Sequence, residues 1–197
     1  MFKNFGLIAA AGDRHLAEFT PGKWYLKNPE EVKEWKFGLT TVKWRVEDLQ
    51  RRLERSKRLV SGEEEFTIRE TGEDGVKQIK ALLGLDEMVT NVNVPNYGQI
   101  ENLPMGSVVE TNALFRKDIL LPICSGKIPD GINSIISRHI NNVNLVIESV
   151  LKEDKELAFL AFLNDPLMGQ CTLKEARELF ETMINNTKEY LPEFFWS

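Results

Sequence analysis

The hydrophobic period of the sequence changes twice along the chain, and this restricts the possible fold more than any other feature. Residues 28–61 place apolar side chains three or four positions apart, which is the period of a helix. Residues 88–122 are rich in β-branched side chains and are interrupted by proline and glycine, a pattern typical of short strands. Helical spacing returns after residue 130. We therefore expect an α+β fold with long helices and a small antiparallel sheet.

The first helical stretch is predicted as one unbroken helix about four heptads long. Asn28 is a suitable N-cap, Pro29 suits the first helical position, and the helix is expected to end near Ser61 and Gly62. Packing of its apolar seam against the rest of the protein is favoured over a coiled-coil partner. Seven residues form the seam: Val32, Trp35, Leu39, Val42, Val46, Leu49 and Leu53.

Local signals place the remaining elements. Asp154 is a suitable N-cap for a short apolar helix, and Thr172 with Glu175 forms a capping box that opens the last helix. The other predicted elements are a helix at 75–83, strands at 88–94, 107–111 and 119–121, and a helix whose apolar stripe runs from Ile132 to Val150.

Composition narrows the class of protein. The chain has 197 residues, of which 42% are hydrophobic, so it fits a single folded domain spanning residues 1–197. Its 25 basic and 30 acidic residues give a net charge of -5, which argues against a nucleic-acid binder. No apolar run is long enough to cross a membrane, so no membrane partner is expected. Two cysteines, and no disulfide framework, suit a reducing cytoplasm.

Few residues suggest chemistry by themselves. The sequence has no Gly-rich phosphate loop, and its two histidines, His15 and His139, lack neighbours at metal-ligand spacing. His139 lies on an apolar helix stripe, where a structural role is favoured. Asp13, Arg14 and His15 bring an acid, a fixed cation and an imidazole together. Such triplets also arise by chance, and ordinary surface polarity remains the alternative.

A second basic feature is the helix face from Lys43 to Arg58. A face of this kind can bind anions or nucleic acid, but acidic residues are interspersed with the basic ones. We therefore favour a solvated or self-paired face. The start of the chain is also unusual, because an apolar run leads directly into the polar cluster at 13–15. This order is expected of the interior of a larger protein.

Several segments together resemble one enzyme family. They occur in the family's order and cover most of the chain: residues 5–21 with GDRHLAEF, residues 93–104 with NVPNYGQIENLP, then VVE at 108–110, DPL at 165–167 and EYLP at 189–192. These segments are similar to those of the NAD- and manganese-dependent family 4 glycoside hydrolases. The GDRH sequence is most similar to the branch of α-galacturonidases and α-glucuronidases.

The resemblance implies a fold, a reaction and partners. It implies the C-terminal domain of the lactate and malate dehydrogenase type, from a glycosidase that cleaves O-glycosyl bonds, of α-uronides above all, by oxidation, elimination, addition and reduction. The cofactors implied are NAD and Mn²⁺, both held mainly by an N-terminal Rossmann domain absent from this sequence. Cys124 and Cys171 are therefore not assigned as metal ligands. The implied partners are a small sugar, a separate or missing NAD-binding domain, and further copies of the chain.

The resemblance also implies roles for four residues. Asp13 corresponds to the base that removes a proton from carbon 2 of the sugar, or to a residue that assists it. Arg14 corresponds to a residue that pairs with the sugar carboxylate, and His15 to one that binds a hydroxyl or the carboxylate. Asn96 corresponds to a residue at the border of the substrate pocket or at an oligomer contact. The chain alone is expected to be inactive. The alternative is a non-catalytic module that binds a sugar or mediates oligomerisation.

Overall fold

The computed structural model describes residues 2–9, 13–38 and 40–196. The chain forms two compact units. The first comprises residues 1–37, 92–111 and 123–197, and the second comprises residues 38–91 and 112–122. Neither unit is continuous in sequence. The chain passes from one unit to the other after residues 37, 91, 111 and 122.

In the first unit, the described residues form six helices and short 3₁₀ turns. Its helices are α1 (Phe2–Phe5), α2 (Asp13–Glu18), α3 (Pro29–Glu34), α6 (Asp130–Lys152), α7 (Lys155–Leu163) and α8 (Leu173–Thr187). Asp154 caps α7 by accepting from the backbone N–H groups of Glu156 and Leu157. Thr172 and Glu175 form the predicted capping box of α8. The predictions for these two helix starts are confirmed.

Two apolar clusters of described residues lie in the core of the first unit. The larger consists of Phe159, Phe180, Ile184 and Phe195 and joins α7, α8 and the end of the chain. The second joins the start of a strand to α6, since the buried Val109 packs with Ile136 and Ile140. Long helices and a small sheet therefore share a core, as the sequence predicts.

The sheet has three strands in the order β1 (Met88–Pro95), β2 (Val108–Arg116) and β3 (Ile119–Pro122), and it is antiparallel. Strands β2 and β3 form a hairpin in which Arg116 lies opposite Ile119 and Ala113 lies opposite Pro122. Its turn places Asp118 in the left-handed region, with φ of 57°. The α+β prediction is confirmed, and β2 extends further than the sequence predicts.

Helices α4 (Val42–Ser61) and α5 (Gly75–Leu82) belong to the second unit. Thr90 of β1 donates a hydrogen bond from Oγ1 to Asp74 Oδ2 at 2.8 Å, which ties the strand to the start of α5. None of the residues of α4 is buried.

The unbroken helix predicted from Pro29 to Ser61 is wrong. Helix α3 ends at Glu34, and Lys36 then adopts a φ of 58°, which a right-handed helix does not accommodate. A new helix begins after Thr41, whose Oγ1 accepts a hydrogen bond from the backbone N–H of Trp44. Leu39, a predicted seam residue, lies outside the described residues.

The C-terminal half of the seam is not covered within this chain, so its packing against another part of the protein stays a prediction. Val46, Leu49 and Leu53 lie on α4 with about half of their surface exposed, and Val42 is more exposed still. The helical period therefore identified a helix but not a covered face.

Candidate functional site

Helix α2 carries three of the four predicted site residues. Asp13 is its first residue, and Arg14 and His15 follow, so the structure places these residues in one helical turn. The Asp13 side chain lies outside the described part of the chain. A helix of six residues is not stable alone, because nucleation costs more than so few hydrogen bonds return. Contacts with other elements must therefore hold α2 in place.

His15 is accessible at the surface of this helix. Its Nδ1 atom lies 3.6 Å from Glu18 Oε2, and more than half of each side chain is exposed. This distance is too long for a hydrogen bond, and the contact is an ion pair only when the imidazole is protonated. His15 is thus accessible to a ligand, as a substrate-binding residue must be.

The end of α2 is closed by a buried threonine. Thr20 has no exposed surface, and its Oγ1 donates to the carbonyl of Ala17 at 3.0 Å. The backbone N–H of Phe19 donates to the carbonyl of Leu16 at 3.1 Å. These bonds satisfy carbonyl groups that the helix itself leaves without partners.

Helix α6 provides the other contact at this end. The Nε2 atom of His139 lies 2.9 Å from the carbonyl oxygen of Phe19. The ring of Phe19 also meets the His139 ring edge-on, with ring centroids 4.9 Å apart. The sequence favoured a structural role for His139 and did not predict its contact with α2, since 120 positions separate the two residues.

A cavity of about 640 Å³ lies beside α2 in the first unit. Leu16 and Phe19 of α2 line it together with Ile100, Leu103 and a row of isoleucines from α6. Its lining is mainly apolar, and the polar groups that reach it come from Thr20, Glu110 and His139. Helix α2 therefore presents its apolar side chains to a cavity while His15 remains exposed.

Asn96, the fourth predicted site residue, lies in the turn after β1 and is fully buried. Its Nδ2 donates to the carbonyls of Ile100 and Leu103, both at 2.9 Å, and its Oδ1 accepts from the backbone N–H groups of Gly98 and Ile100. These bonds hold the loop that places Ile100 and Leu103 in the cavity wall. The structure therefore connects Asn96 with α2 through the cavity, and its direct contact with substrate stays a prediction.

Another residue of this loop was missed by the sequence analysis. Asn102 makes a two-point contact, in which Nδ2 donates to the carbonyl of Ile128 at 2.8 Å and Oδ1 accepts the backbone N–H of Ile128 at 2.9 Å. Ile128 also lines the cavity. An asparagine in a loop gives no sequence signal for a partner 26 positions away.

The residues present do not fit the metal or the nucleotide that the resemblance implies. Among the described residues, no group of three or more His, Cys, Asp or Glu side chains is arranged to hold a metal ion. Cys124 and Cys171 are exposed and free. The sequence contains no Gly-rich nucleotide loop. We therefore assign this chain no step that passes through either cofactor.

The basic face of α4 is paired internally. Arg51 and Arg52 both contact Asp48, and Arg55 and Arg58 both contact Glu64. The hydrogen bond from Arg55 is the main cause that lowers the pKa of the Glu64 carboxyl. The prediction of a self-paired face is confirmed for these residues.

None of the described helices is long and apolar enough to span a bilayer.

Comparison with known proteins decides the family. A family model described as the family 4 glycosyl hydrolase C-terminal domain matches residues 1–168. This chain belongs to that family. The prediction made from the GDRH and NVPN segments is confirmed.

The fold of this family 4 domain is similar to that of two solved structures. The Bacillus subtilis protein described as the glucosidase lplD is 47% identical with a TM-score of 0.84, over 92% of this chain and 41% of that one. The 6-phospho-beta glucosidase of Thermotoga maritima, solved with manganese, NAD⁺ and glucose-6-phosphate, is 25% identical with a TM-score of 0.67, over 86% of this chain and 41% of that one.

A curated relative is more similar in sequence. The alpha-galacturonidase of Thermoanaerobacterium saccharolyticum is 62% identical over 191 residues, which make up 97% of this chain and 41% of the relative. The family 4 domain described here thus spans about two fifths of the length of the proteins it matches.

Proposed function

We propose that this chain is the C-terminal part of a glycosidase that hydrolyses α-uronides, and α-galacturonides in particular, by the NAD-dependent route of oxidation, elimination, addition and reduction. The observation that carries this proposal is α2, which places Arg14 and His15 in one helical turn, with the imidazole of His15 exposed. A uronide differs from a neutral sugar by a carboxylate, and a guanidinium with an imidazole is suited to bind one. The 62% identity to an alpha-galacturonidase supports the same substrate class.

Each residue of the polar cluster has a proposed role. Arg14 pairs with the carboxylate of the sugar, and its planar guanidinium allows two parallel hydrogen bonds. His15 binds a hydroxyl or the same carboxylate. Asp13 is the candidate base that takes the proton from carbon 2 of the sugar. Asn96 acts through the loop that it holds together, since both of its polar atoms are already bonded within that loop.

The cofactors belong to a partner domain in this proposal. The proposal assigns NAD and Mn²⁺ mainly to an N-terminal domain, which agrees with the greater length of the relatives and with the lack of a metal cluster among the described residues. Residues 1–197 then form the substrate and oligomerisation domain, and the isolated chain is inactive.

Reconstitution tests this function. The chain would be joined to the N-terminal part of the alpha-galacturonidase from Thermoanaerobacterium saccharolyticum and assayed with NAD, Mn²⁺ and an aryl α-galacturonide. We expect turnover that requires both cofactors. The Arg14→Gln variant should lose roughly ten- to a hundredfold in kcat/KM, since hydrogen bonds to charged groups contribute about 1.5–3 kcal/mol. Arg69→Gln is the matched control, because it removes the same charge at an exposed position.

Three results would refute the proposal. The first is no turnover from an assembled and folded protein. The second is equal turnover of α-galacturonide and α-galactoside, which would remove the role of the carboxylate. The third is binding of a uronic acid without any turnover, which would favour the non-catalytic sugar-binding module instead.

We also propose that the protein forms homo-oligomers. The support is the row of half-exposed apolar residues on α4, since exposed apolar surface of this kind is a mark of interaction sites. Light scattering of the chain should give a mass above 22.6 kDa. Leu49→Glu should reduce that mass, whereas Glu47→Gln, on the same helix, should not. A monomeric wild-type protein would contradict this part of the proposal.

A further inference from the structure

We propose that His139 is a positioning residue of the candidate site. Its Nε2–H group holds the carbonyl of Phe19 and thereby fixes α2, the helix that carries Arg14 and His15. The anchoring of α2 stands on the contacts of this chain alone, whereas its consequence for catalysis rests on the proposed function. Different experiments test the anchoring of α2 and its consequence for catalysis.

The need for an anchor follows from the length of α2. With six residues it has few internal hydrogen bonds, and tertiary contacts decide whether and where it forms. The Phe19 carbonyl lies just beyond its last residue, where helical carbonyls have no partner within the helix. Thr20 holds the carbonyl of Ala17 by a local bond, so it shapes the turn but does not connect α2 to another element. The bond from His139 makes that connection to α6.

The chemistry of the bond requires a proton on Nε2 of the imidazole. A carbonyl oxygen only accepts hydrogen bonds, so at 2.9 Å the Nε2 atom must carry the proton. In neutral His139 the Nδ1 atom is then unprotonated. The structure thus assigns one tautomer of this residue, and the assignment is open to direct measurement.

Two features of His139 act together at this contact. The N–H group bonds the Phe19 carbonyl, and the ring packs edge-on against the Phe19 ring at 4.9 Å. A His139→Phe variant keeps an aromatic ring but removes the donor. A His139→Gln variant keeps an N–H donor at nearly the same reach but removes the ring. The pair therefore separates the hydrogen bond from general packing.

The first experiment uses the wild-type chain and needs no substitution. A long-range ¹H–¹⁵N spectrum of the imidazoles distinguishes the two histidine tautomers. We expect His139 to show a protonated Nε2 and an unprotonated Nδ1. The opposite tautomer would overturn the proposal, because that nitrogen could not donate to Phe19.

The second experiment measures amide hydrogen exchange of the segment from Leu16 to Thr20. We expect exchange there to rise about tenfold or more in His139→Phe and to return towards the wild-type rate in His139→Gln. Asn141→Phe, which adds the same ring at an exposed position of α6, is the control and should leave this segment unchanged. Unchanged exchange in His139→Phe, or no recovery in His139→Gln, would overturn the proposal.

The third experiment tests the catalytic consequence in the reconstituted enzyme. His139→Phe should lower kcat/KM for an aryl α-galacturonide by roughly tenfold to a hundredfold, mainly through KM, since displaced binding groups lose their alignment. The loss should be smaller for the uncharged α-galactoside, and His139→Gln should recover most of it. Equal losses for both substrates, or none, would overturn the positioning role. If the wild-type enzyme does not turn over at all, the proposed function fails, while the spectrum and the exchange rates still decide whether His139 anchors α2.

Discussion

Helices α4 and α8 have similar apolar patterns but different surroundings. Helix α8 buries Ala176, Phe180 and Ile184 within the first unit. Helix α4 is five residues longer and buries none of its residues. An amphipathic sequence therefore predicts that a helix has an apolar face, but the rest of the chain determines whether that face is covered.

The difference arises from the neighbours of each helix. Phe180 of α8 meets the rings of Phe159 and Phe162, with centroids 5.3 and 5.5 Å apart, and Arg177 places its guanidinium 3.4 Å from the Phe159 ring centroid. In contrast, the charged side chains of α4 pair along their own helix or with Glu64, just beyond it. We therefore expect packing against neighbouring elements to stabilise α8. We expect α4 to be stabilised only by interactions within the helix or just beyond its end.

The largest predicted effect concerns the aromatic core. Phe180→Ala should lower the free energy of unfolding by about 3–5 kcal/mol, because it removes a buried ring and leaves a cavity. Within the monomer, Leu49→Ala on α4 should cost less than about 1 kcal/mol, as expected of a side chain that the rest of this chain leaves half exposed. Urea denaturation of both variants measures the difference. Equal losses, measured at a protein concentration at which the chain is monomeric, would contradict the comparison.

A second prediction extends the comparison to polar side chains. Asn96→Ala should cost about 3 kcal/mol, because it leaves buried carbonyl and N–H groups of the loop without partners. Asn141→Ala, at an exposed position of α6, should change stability by no more than about 0.5 kcal/mol. Denaturation midpoints compare the two. A mild effect of Asn96→Ala would mean that its loop contributes little to the fold.

The third prediction concerns the helix caps. Thr172→Ala and Thr41→Ala each remove a side chain that accepts a backbone N–H at a helix start, at a typical cost of about 1 kcal/mol. For Thr172→Ala this cost should appear in the global stability, because α8 is part of the core. For Thr41→Ala it should appear only as faster amide exchange within α4. A lower global stability of Thr41→Ala would contradict the comparison.

The smallest predicted effect is a pH dependence. The backbone N–H of Thr172 donates to the Glu175 carboxylate, and this bond is the main cause that lowers its pKa below the ordinary value of 4.5. Folding thus favours the charged carboxylate, whose contribution is complete above pH 4.5 and disappears as the pH falls through the lowered pKa. The unfolding midpoint of Glu175→Gln should therefore fall less steeply on acidification below pH 4.5 than that of the wild type.

Local signals predicted much of the fold. Asp154, Thr172 and Glu175 mark helix starts by bonds to residues two or three positions away, and such short-range chemistry is visible in a sequence. The same capping rules also apply at the break between α3 and α4, which was not predicted. Thr41, which caps α4, was not used as a helix start, because the apolar spacing continues across it without interruption.

The candidate site was predictable only in part. Asp13, Arg14 and His15 were found because they are adjacent and because their segment resembles a family sequence. The bond from His139 to Phe19 and the contact of Asn102 with Ile128 join residues that are 120 and 26 positions apart. Neither side chain type restricts its partner to one place, so only the folded chain reveals these contacts.

The bond between Phe19 and His139 has a consequence for the order of folding. Closing a loop of that length carries a large entropic cost, and it is possible only after residue 139 has left the ribosome. During synthesis the GDRH segment therefore emerges before α6, and the bond to His139 can form only later. A nascent chain stalled before α6 would already carry the proposed substrate-binding groups, yet would lack the contact that gives them a defined place.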